Sequence, residues 1–133
     1  MPVPQTPATT ESAWLLALVD VVDDGIVITD AQQRITWANN GFCQLCGYAL
    51  PELIGKNPGR LLQGDQTDTA TVKKIRNALK NNQKCTVDIL NYHKDGHLYW
   101  VSLHIAPLVD VMDNVVRFMS IAREIPPPVP TKR

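Results

Sequence analysis

The sequence has little that would attract it to a polyanion or a membrane. Its thirteen basic and thirteen acidic residues cancel, and no dense stripe of lysine or arginine appears, so nucleic-acid binding is not expected. The longest nearly apolar run, from Trp14 to Val22, is interrupted by Asp20 and falls short of the ~18 residues that a membrane span needs. The first residues also lack the basic region and small-residue cleavage site of a signal peptide, so none is predicted.

Cysteine is scarce, at three residues, and an odd number cannot pair completely. This favours a cytoplasmic location over an oxidising compartment. Cys43 and Cys46 form a C-x-x-C pair, but no second pair or nearby histidine completes a zinc site, and no metal ligands are predicted. Phe42, Leu45 and Cys46 recur at helical spacing with Gly47 as a C-terminal cap, so both thiols are predicted to fill the core.

Recognisable catalytic machinery is also missing. The sequence contains no plausible Ser/His/Asp or Cys/His arrangement, no phosphate-binding loop of Walker type and no paired carboxylates beyond Asp23-Asp24. The chain is therefore predicted not to be an enzyme.

The rest of the sequence predicts one domain with a proline-rich segment at each end. A Pro/Thr-rich leader covers residues 1–10, an amphipathic helix is predicted over 11–23, the main domain over 24–125 and a Pro-rich linker or tail over 126–133. The helix is more apolar than packing on one sheet requires, which predicts a homodimer built on it; a helix in a deep groove explains the excess equally well. Its apolar residues are Trp14, Leu15, Leu16, Ala17, Leu18, Val19, Val21 and Val22.

Alternating apolar residues and turn signals predict two strands, then a helical segment, then three strands. The longest helix is predicted over about 68–81. A turn at Asp95-Gly96 makes the stretch 91–100 a hairpin, which we expect at the centre of an antiparallel sheet. The predicted strands are 26–29, 35–38, 85–92, 98–109 and 115–124.

Asn91 is unusual in this hairpin because it is an amide flanked by strand formers. A buried amide needs partners for its donors and acceptor, and a heterocycle with alternating donors and acceptors could supply them. A bond to backbone at a strand end would satisfy the amide as well. The period of two in the following strand predicts that Val101, Leu103 and Ile105 face the core, and that Trp100, Ser102 and His104 face away.

Four short motifs accompany this order of elements. They are Trp37-Ala38-Asn39-Asn40-Gly41-Phe42, Gly47-Tyr48, Gly55-Lys56-Asn57 and Asn91-Tyr92-His93-Lys94-Asp95-Gly96. Together they resemble the PAS family of sensor domains over residues 20–125. The resemblance implies an α+β fold with a five-stranded antiparallel sheet, short helices on one of its faces and an N-terminal helix.

Within that family the stretch from Gly55 to Gly64 is similar to the motif G-x-N-C-R-F-L-Q-G of flavin-binding LOV domains. Here it is one residue longer, and Pro58-Gly59 stand where the family has its reactive cysteine, so no flavin–cysteinyl bond is expected. Tyr99-Trp100-Val101 and the stretch 118–121 are similar instead to FAD-binding redox and aerotaxis PAS domains. That branch usually carries a tryptophan near the position of Cys85.

The resemblance implies six cofactor contacts. Arg60 and Arg76 bind a flavin phosphate, Gln63 the ribityl region and Asn91 the edge of the isoalloxazine ring. Asn39 and Trp100 complete the set. Each polar residue also has an ordinary explanation in loop anchoring, solvation or turn capping. Two further polar contacts of the family are replaced, by Val101 and Ala122.

The function implied is that of a sensory domain in a signalling protein, which binds FAD or FMN and senses redox state, oxygen or light without a cysteinyl adduct. A PAS module for another small ligand, or a cofactor-free one serving dimerisation and signal relay, are the alternatives. Haem is less expected, because the predicted helix over 68–81 contains no histidine. An output module of kinase, cyclase or chemoreceptor type is expected outside this chain.

Overall fold

A computed structural model describes residues 23–129. The leader 1–10, all but the last position of the predicted helix 11–23, and residues 130–133 lie outside this range. Between residues 23 and 129, no helix is long and apolar enough to cross a membrane. The strands are β1 (Gly25–Asp30), β2 (Ile35–Ala38), β3 (Cys85–Tyr92), β4 (Leu98–Val109) and β5 (Val115–Ile125), and the helices are α1 (Asn40–Cys46), α2 (Leu50–Leu53), α3 (Pro58–Leu62) and α4 (Thr69–Lys80).

The five strands form one antiparallel sheet in the order β2-β1-β5-β4-β3. This confirms the predicted fold class but corrects the position of the hairpin 91–100. Strand β3 forms an edge of the sheet, and β5 lies at its centre. The reason is that the last strand, β5, pairs with the first, β1, with Gly25 opposite Ala122. A pairing between residues so distant in sequence has no local signal.

Short polar side chains begin three of the helices. Asn39, Asn57 and Asp68 each accept a backbone N–H of the first turn of α1, α3 and α4. Pro51 occupies the first turn of α2, where a missing N–H costs nothing. Gly47 ends α1 with a φ of 84°, a left-handed conformation that favours glycine.

The helices pack against one face of the sheet and enclose the core. Their apolar side chains meet those of alternate strand residues, which is the arrangement that the period of two predicts. Leu53 and Val101 are completely buried. The core includes Val27, Ile35, Phe42, Leu53, Ile75, Ile89, Val101 and Phe118.

Candidate functional site

A cavity of about 460 Å³ lies between the inner face of the sheet and helices α3 and α4. Its volume falls within the range of about 300–1,000 Å³ that small-molecule sites occupy in proteins. Most of its wall is apolar and comes from every strand except β2. The apolar wall residues are Val27, Phe42, Leu45, Leu62, Val72, Ile75, Leu79, Ile89, Leu103, Ile105, Phe118 and Ala122.

Asn91 and Tyr99 are two polar residues that lie side by side on the inner wall. They are opposite residues of β3 and β4, and Asn91 is only 8% exposed. The Asn91 amide lies within hydrogen-bonding reach of the Tyr99 hydroxyl. Burial raises the pKa of Tyr99 well above its ordinary value, and the Asn91 hydrogen bond opposes this only in part, so the phenol stays neutral.

The alternative explanation for Asn91, a bond to backbone at the strand end, does not describe this fold. Within residues 23–129 its side chain bonds to no backbone group and reaches only Tyr99. An amide offers two donors and an acceptor, so most of its capacity is open toward the cavity.

Two arginines lie at the mouth of the cavity. Arg60 comes from α3 and Arg76 from α4, and both are exposed at its rim. Neither guanidinium has an ion pair or side-chain hydrogen bond within the described part of the chain. A guanidinium presents a fork of N–H donors that matches a phosphate, so the pair makes this rim suited to an anionic group.

Gln63, the residue that follows α3, also lines the cavity. Its side-chain amide rests against Gly59, where an added Cβ would stand 3.3 Å from Gln63 Nε2. The same Cβ would stand 3.3 Å from Asn57 Oδ1, the oxygen that caps α3. The cap and the absence of a side chain at Gly59 therefore bring Gln63 to the wall of the cavity.

The structure thus brings together four of the six predicted cofactor contacts, Arg60, Gln63, Arg76 and Asn91. Asn39 is not among the residues that line the cavity. Its Oδ1 accepts the backbone N–H groups of Ile26 at 2.8 Å and Phe42 at 2.9 Å, and its Nδ2 donates to the Asp24 carbonyl at 3.1 Å. Asn39 is therefore corrected from a cofactor contact to a side chain that joins β1 to α1.

Trp100 is the second correction. It alternates along β4 with Tyr99 and Val101, which face the core, and therefore lies on the outer face of the sheet. It pairs across the sheet with Leu90 and Ile125 and does not line the cavity. The period of two along this strand predicts this outward position, and the structure confirms it; only the resemblance of the motif placed Trp100 among the cofactor contacts.

Sequence reasoning missed several polar residues of the wall. Tyr99 could have been found, because it continues the predicted core-facing series of Val101, Leu103 and Ile105 by one further step. Gln33 reaches the cavity from the β1–β2 turn with a φ of 66°, and no sequence pattern announces this. Ser120 lines it from the central strand.

No cysteine lines the cavity, although all three cysteines of the chain are described. Burial raises the pKa of both Cys43 and Cys46, which disfavours the reactive thiolate. The predicted role of these thiols in core packing agrees with Cys46, which is fully buried, whereas Cys43 is half-buried. Pro58 and Gly59 do line the cavity, and neither carries a nucleophile.

This geometry can be compared with proteins of known family. A sequence profile of the PAS domain matches residues 23–125. The chain belongs to the PAS domain family. Its relatives include the rice (Oryza sativa subsp. japonica) Phototropin-1A, which is 36% identical over 110 residues covering 80% of this chain and 12% of the relative. A blue-light photoreceptor of Listeria monocytogenes is 36% identical over 116 residues, 84% of this chain and 44% of that protein.

Solved structures agree with the fold of this PAS domain. A light-oxygen-voltage (LOV) domain studied with a flavin analogue superposes with a TM-score of 0.77 at 35% identity, covering 90% of this chain and 87% of that one. An RNA-binding LOV receptor superposes with a TM-score of 0.80 at 26% identity, covering 93% of this chain and 37% of that one. The chain is thus a sensory PAS domain similar to LOV photoreceptors, and it spans less than half of the curated relatives named here.

Proposed function

We propose that this PAS domain binds a flavin nucleotide in its cavity and senses light or redox state without using a cysteine. The observation that carries the proposal is one buried and largely unengaged amide, Asn91, in an apolar cavity whose mouth holds two unpaired guanidiniums. A flavin nucleotide has the matching parts, a flat heterocycle with polar edges and an anionic phosphate. The likeness to a LOV domain studied with a flavin analogue supports the same ligand class.

Each part of the site would contribute differently to holding the nucleotide. Arg60 and Arg76 bind the phosphate at the rim, and Gln63 reaches the polar chain between the phosphate and the ring. The apolar wall excludes water from the ring, and Asn91 bonds to its polar edge. When bound, a flavin supplies absorption of blue light and the uptake of electrons coupled to that of a proton.

The response of the protein would lie in Asn91 and Tyr99. The side-chain amide of Asn91 has an N–H donor and a carbonyl acceptor. When protonation at the ring edge changes, rotation of the amide group can exchange the positions of this donor and acceptor. The neutral Tyr99 hydroxyl beside it can rotate to follow. Val101 and Ala122, on the neighbouring strands, carry no polar side-chain group and cannot contribute a hydrogen bond to this response.

We propose that the signal leaves the cavity through strand pairing. Asn91 of β3 lies opposite Tyr99 of β4. The residue after Tyr99, Trp100, lies on the other face of the sheet. A shift of β4 that starts in the cavity therefore moves an aromatic side chain on the outer face. In this proposal Trp100 relays the signal, a role compatible with its position outside the cavity.

The proposal is tested by the visible spectrum of tag-free protein, as purified and after incubation with FMN or FAD followed by desalting. We expect a yellow protein that bleaches with dithionite and recovers in air. In the absence of an electron donor, blue light should leave the visible band unchanged, because no thiol is within the cavity. Protein that remains colourless after both incubations contradicts flavin binding and favours another small ligand or a cofactor-free PAS domain.

We also propose that the domain forms a homodimer through residues 11–23 and controls an output module in a longer protein. The apolar excess of that segment supports the first part, and the small share of its relatives that the chain covers supports the second. Replacing Leu15 and Leu18 by glutamate should yield a folded monomer. An unchanged dimer mass in light scattering would contradict the role of the segment.

A further inference from the structure

The turn between β3 and β4 places two imidazoles and a carboxylate side by side. Asp95 Oδ1 lies 2.6 Å from His97 Nδ1 and 3.1 Å from His93 Nδ1. The two imidazole rings stack with their centroids 4.3 Å apart and their planes at 21°. The turn therefore gathers three side chains that are all common ligands of transition metals.

The polar contacts of this cluster converge on the carboxylate. Asp95 Oδ1 accepts the backbone N–H of His97 at 2.9 Å and lies beside both imidazoles, while the backbone N–H of Asp95 lies 3.2 Å from His93 Nδ1. A cation placed between the three side chains would bind one carboxylate oxygen and two imidazole nitrogens that the turn already holds together.

The distances are close to those that a metal would impose. Ligand atoms about 2.0–2.1 Å from a tetrahedral Zn²⁺ stand roughly 3.3 Å from one another. The Nδ1 atom of His93, at 3.1 Å from Asp95 Oδ1, is close to this separation, and that of His97, at 2.6 Å, needs to withdraw by about 0.7 Å. His97 can do so readily because its side chain is 57% exposed.

The turn is also held in place by the helices behind it. The imidazole of His93 covers Gly47 so closely that a Cβ there would stand 2.2 Å from the ring. The Lys94 backbone N–H donates to the Cys46 carbonyl at 2.9 Å, and its ammonium lies 2.6 Å from Glu52 Oε2. Because His93 is fixed against α1, its Nδ1 is presented to Asp95 before any ion arrives, which lowers the cost of ordering the site.

We propose that His93, Asp95 and His97 bind a Zn²⁺ ion, with water completing its coordination. Two imidazoles and one carboxylate suit a borderline divalent ion of this kind, whereas the harder Mg²⁺ and Ca²⁺ prefer oxygen ligands throughout. The inference is independent of flavin binding, because it uses no residue that lines the cavity. The spacing H-x-D-x-H is the feature of the sequence that indicates this site.

The test is calorimetric titration of tag-free protein with ZnCl₂. Wild-type protein should take up one Zn²⁺ per chain, and MgCl₂ should give no heat of binding. His97→Ala and Asp95→Asn should each weaken Zn²⁺ binding at least about tenfold, because loss of a ligand costs no less than loss of its outer-shell partners. His104→Ala is the matched control, since His104 is an exposed histidine of β4 outside the cluster, and it should bind as wild type does.

X-ray absorption at the zinc edge separates this site from the thiols. The proposal expects a shell of nitrogen and oxygen near 2.0 Å, whereas binding at Cys43 and Cys46 would give sulfur near 2.3 Å. A sulfur shell, an absence of binding by wild-type protein, or equal affinities for the His97→Ala and wild-type proteins would each overturn the proposal. Circular dichroism of both variants confirms that any loss is not one of folding.

Discussion

Strands β3 and β4 carry two neighbouring sites of opposite character. The cavity is enclosed and mainly apolar, with one buried amide at Asn91. Two residues further along the chain, His93 begins an exposed turn in which three ligand atoms lie within 4.8 Å of one another. An enclosed apolar site selects a ligand by shape and a few polar contacts, and an exposed polar cluster selects it by donor chemistry. The same two strands can therefore serve two kinds of ligand.

The turns themselves sharpen this comparison. In the turns 30–34 and 110–114, the first residue is an aspartate whose Oδ1 accepts the N–H groups of the residues two and four positions later. In the turn 93–97, the backbone bonds are the same, but an imidazole takes the place of the aspartate in accepting the N–H two positions later. This turn does not require histidine for its geometry, so the cluster has a chemical capacity that its two counterparts lack.

The largest expected effect comes from Gly47, which joins the turn to α1. Gly47→Ala should lower the free energy of unfolding by roughly 2–3 kcal/mol, because it combines a left-handed backbone with a clash against the His93 ring. Gly55→Ala is the control, since Gly55 has a φ of 82° but open space around its Cβ, and should cost only about 1 kcal/mol. Urea unfolding measures both. Equal losses would mean that His93 is not held against Gly47.

Asn91→Leu should separate the two sites. It removes the buried amide from the cavity and should weaken flavin binding by about 1–3 kcal/mol, roughly 5- to 150-fold, while Zn²⁺ binding at the turn is unchanged. Asn77→Leu, at an exposed position of α4 that does not line the cavity, is the matched control. Flavin affinity is measured by fluorescence titration and Zn²⁺ by calorimetry. If Asn91→Leu binds flavin as tightly as the control, Asn91 does not contact the ring.

The arginines at the mouth should give a smaller effect that depends on the phosphate. Arg60→Ala and Arg76→Ala should each weaken FMN binding by about 1 kcal/mol, a reduced value for exposed charges, and the loss should shrink at high salt. Riboflavin has no phosphate, so its affinity should not change. Arg117→Ala removes an exposed arginine of β5 outside the cavity and serves as control. Equal losses for FMN and riboflavin would contradict phosphate contact.

The smallest effect concerns the ion pair that ties the turn to α2. The Lys94 side chain, together with the Ala49 N–H, lowers the pKa of Glu52. The pKa of Glu52 is therefore lower in the folded state than in the unfolded state. The stabilisation of the fold by this ion pair is present above the ordinary pKa of glutamate and is lost as the pH falls through the pKa of the folded state. Lys94→Ala should therefore lower Tm slightly at pH 7 and scarcely at pH 3, relative to Lys56→Ala. A Tm difference that persists undiminished in acid would contradict this origin.

Local elements were predictable because their signals are local. The capping residues Asn39 and Asp68, the glycine at position 47 and the alternation along β4 act within a few residues of one another. Chemically specific residues such as Arg60 and Asn91 were also found, through motifs in the sequence. The resemblance placed Asn39 and Trp100 among the cofactor contacts, because a motif records which residue is present and not which face of an element it occupies. For Trp100, the alternation along β4 predicts the outer face correctly.

By itself, the sequence determined the order of strands and helices, the helix caps, the absence of a thiol from the Gly55–Gly64 motif and the presence of an amide in β3. Only the tertiary structure decided that β5 would be central, that Arg60, Arg76 and Asn91 would meet around one cavity, and that His93 and His97 would stack beside Asp95. The physical reason is the distance along the sequence between the residues that stabilise each feature. Caps and turns are stabilised by groups a few residues apart, whereas a cavity exists only once strands distant in sequence have paired and the helices have packed over them.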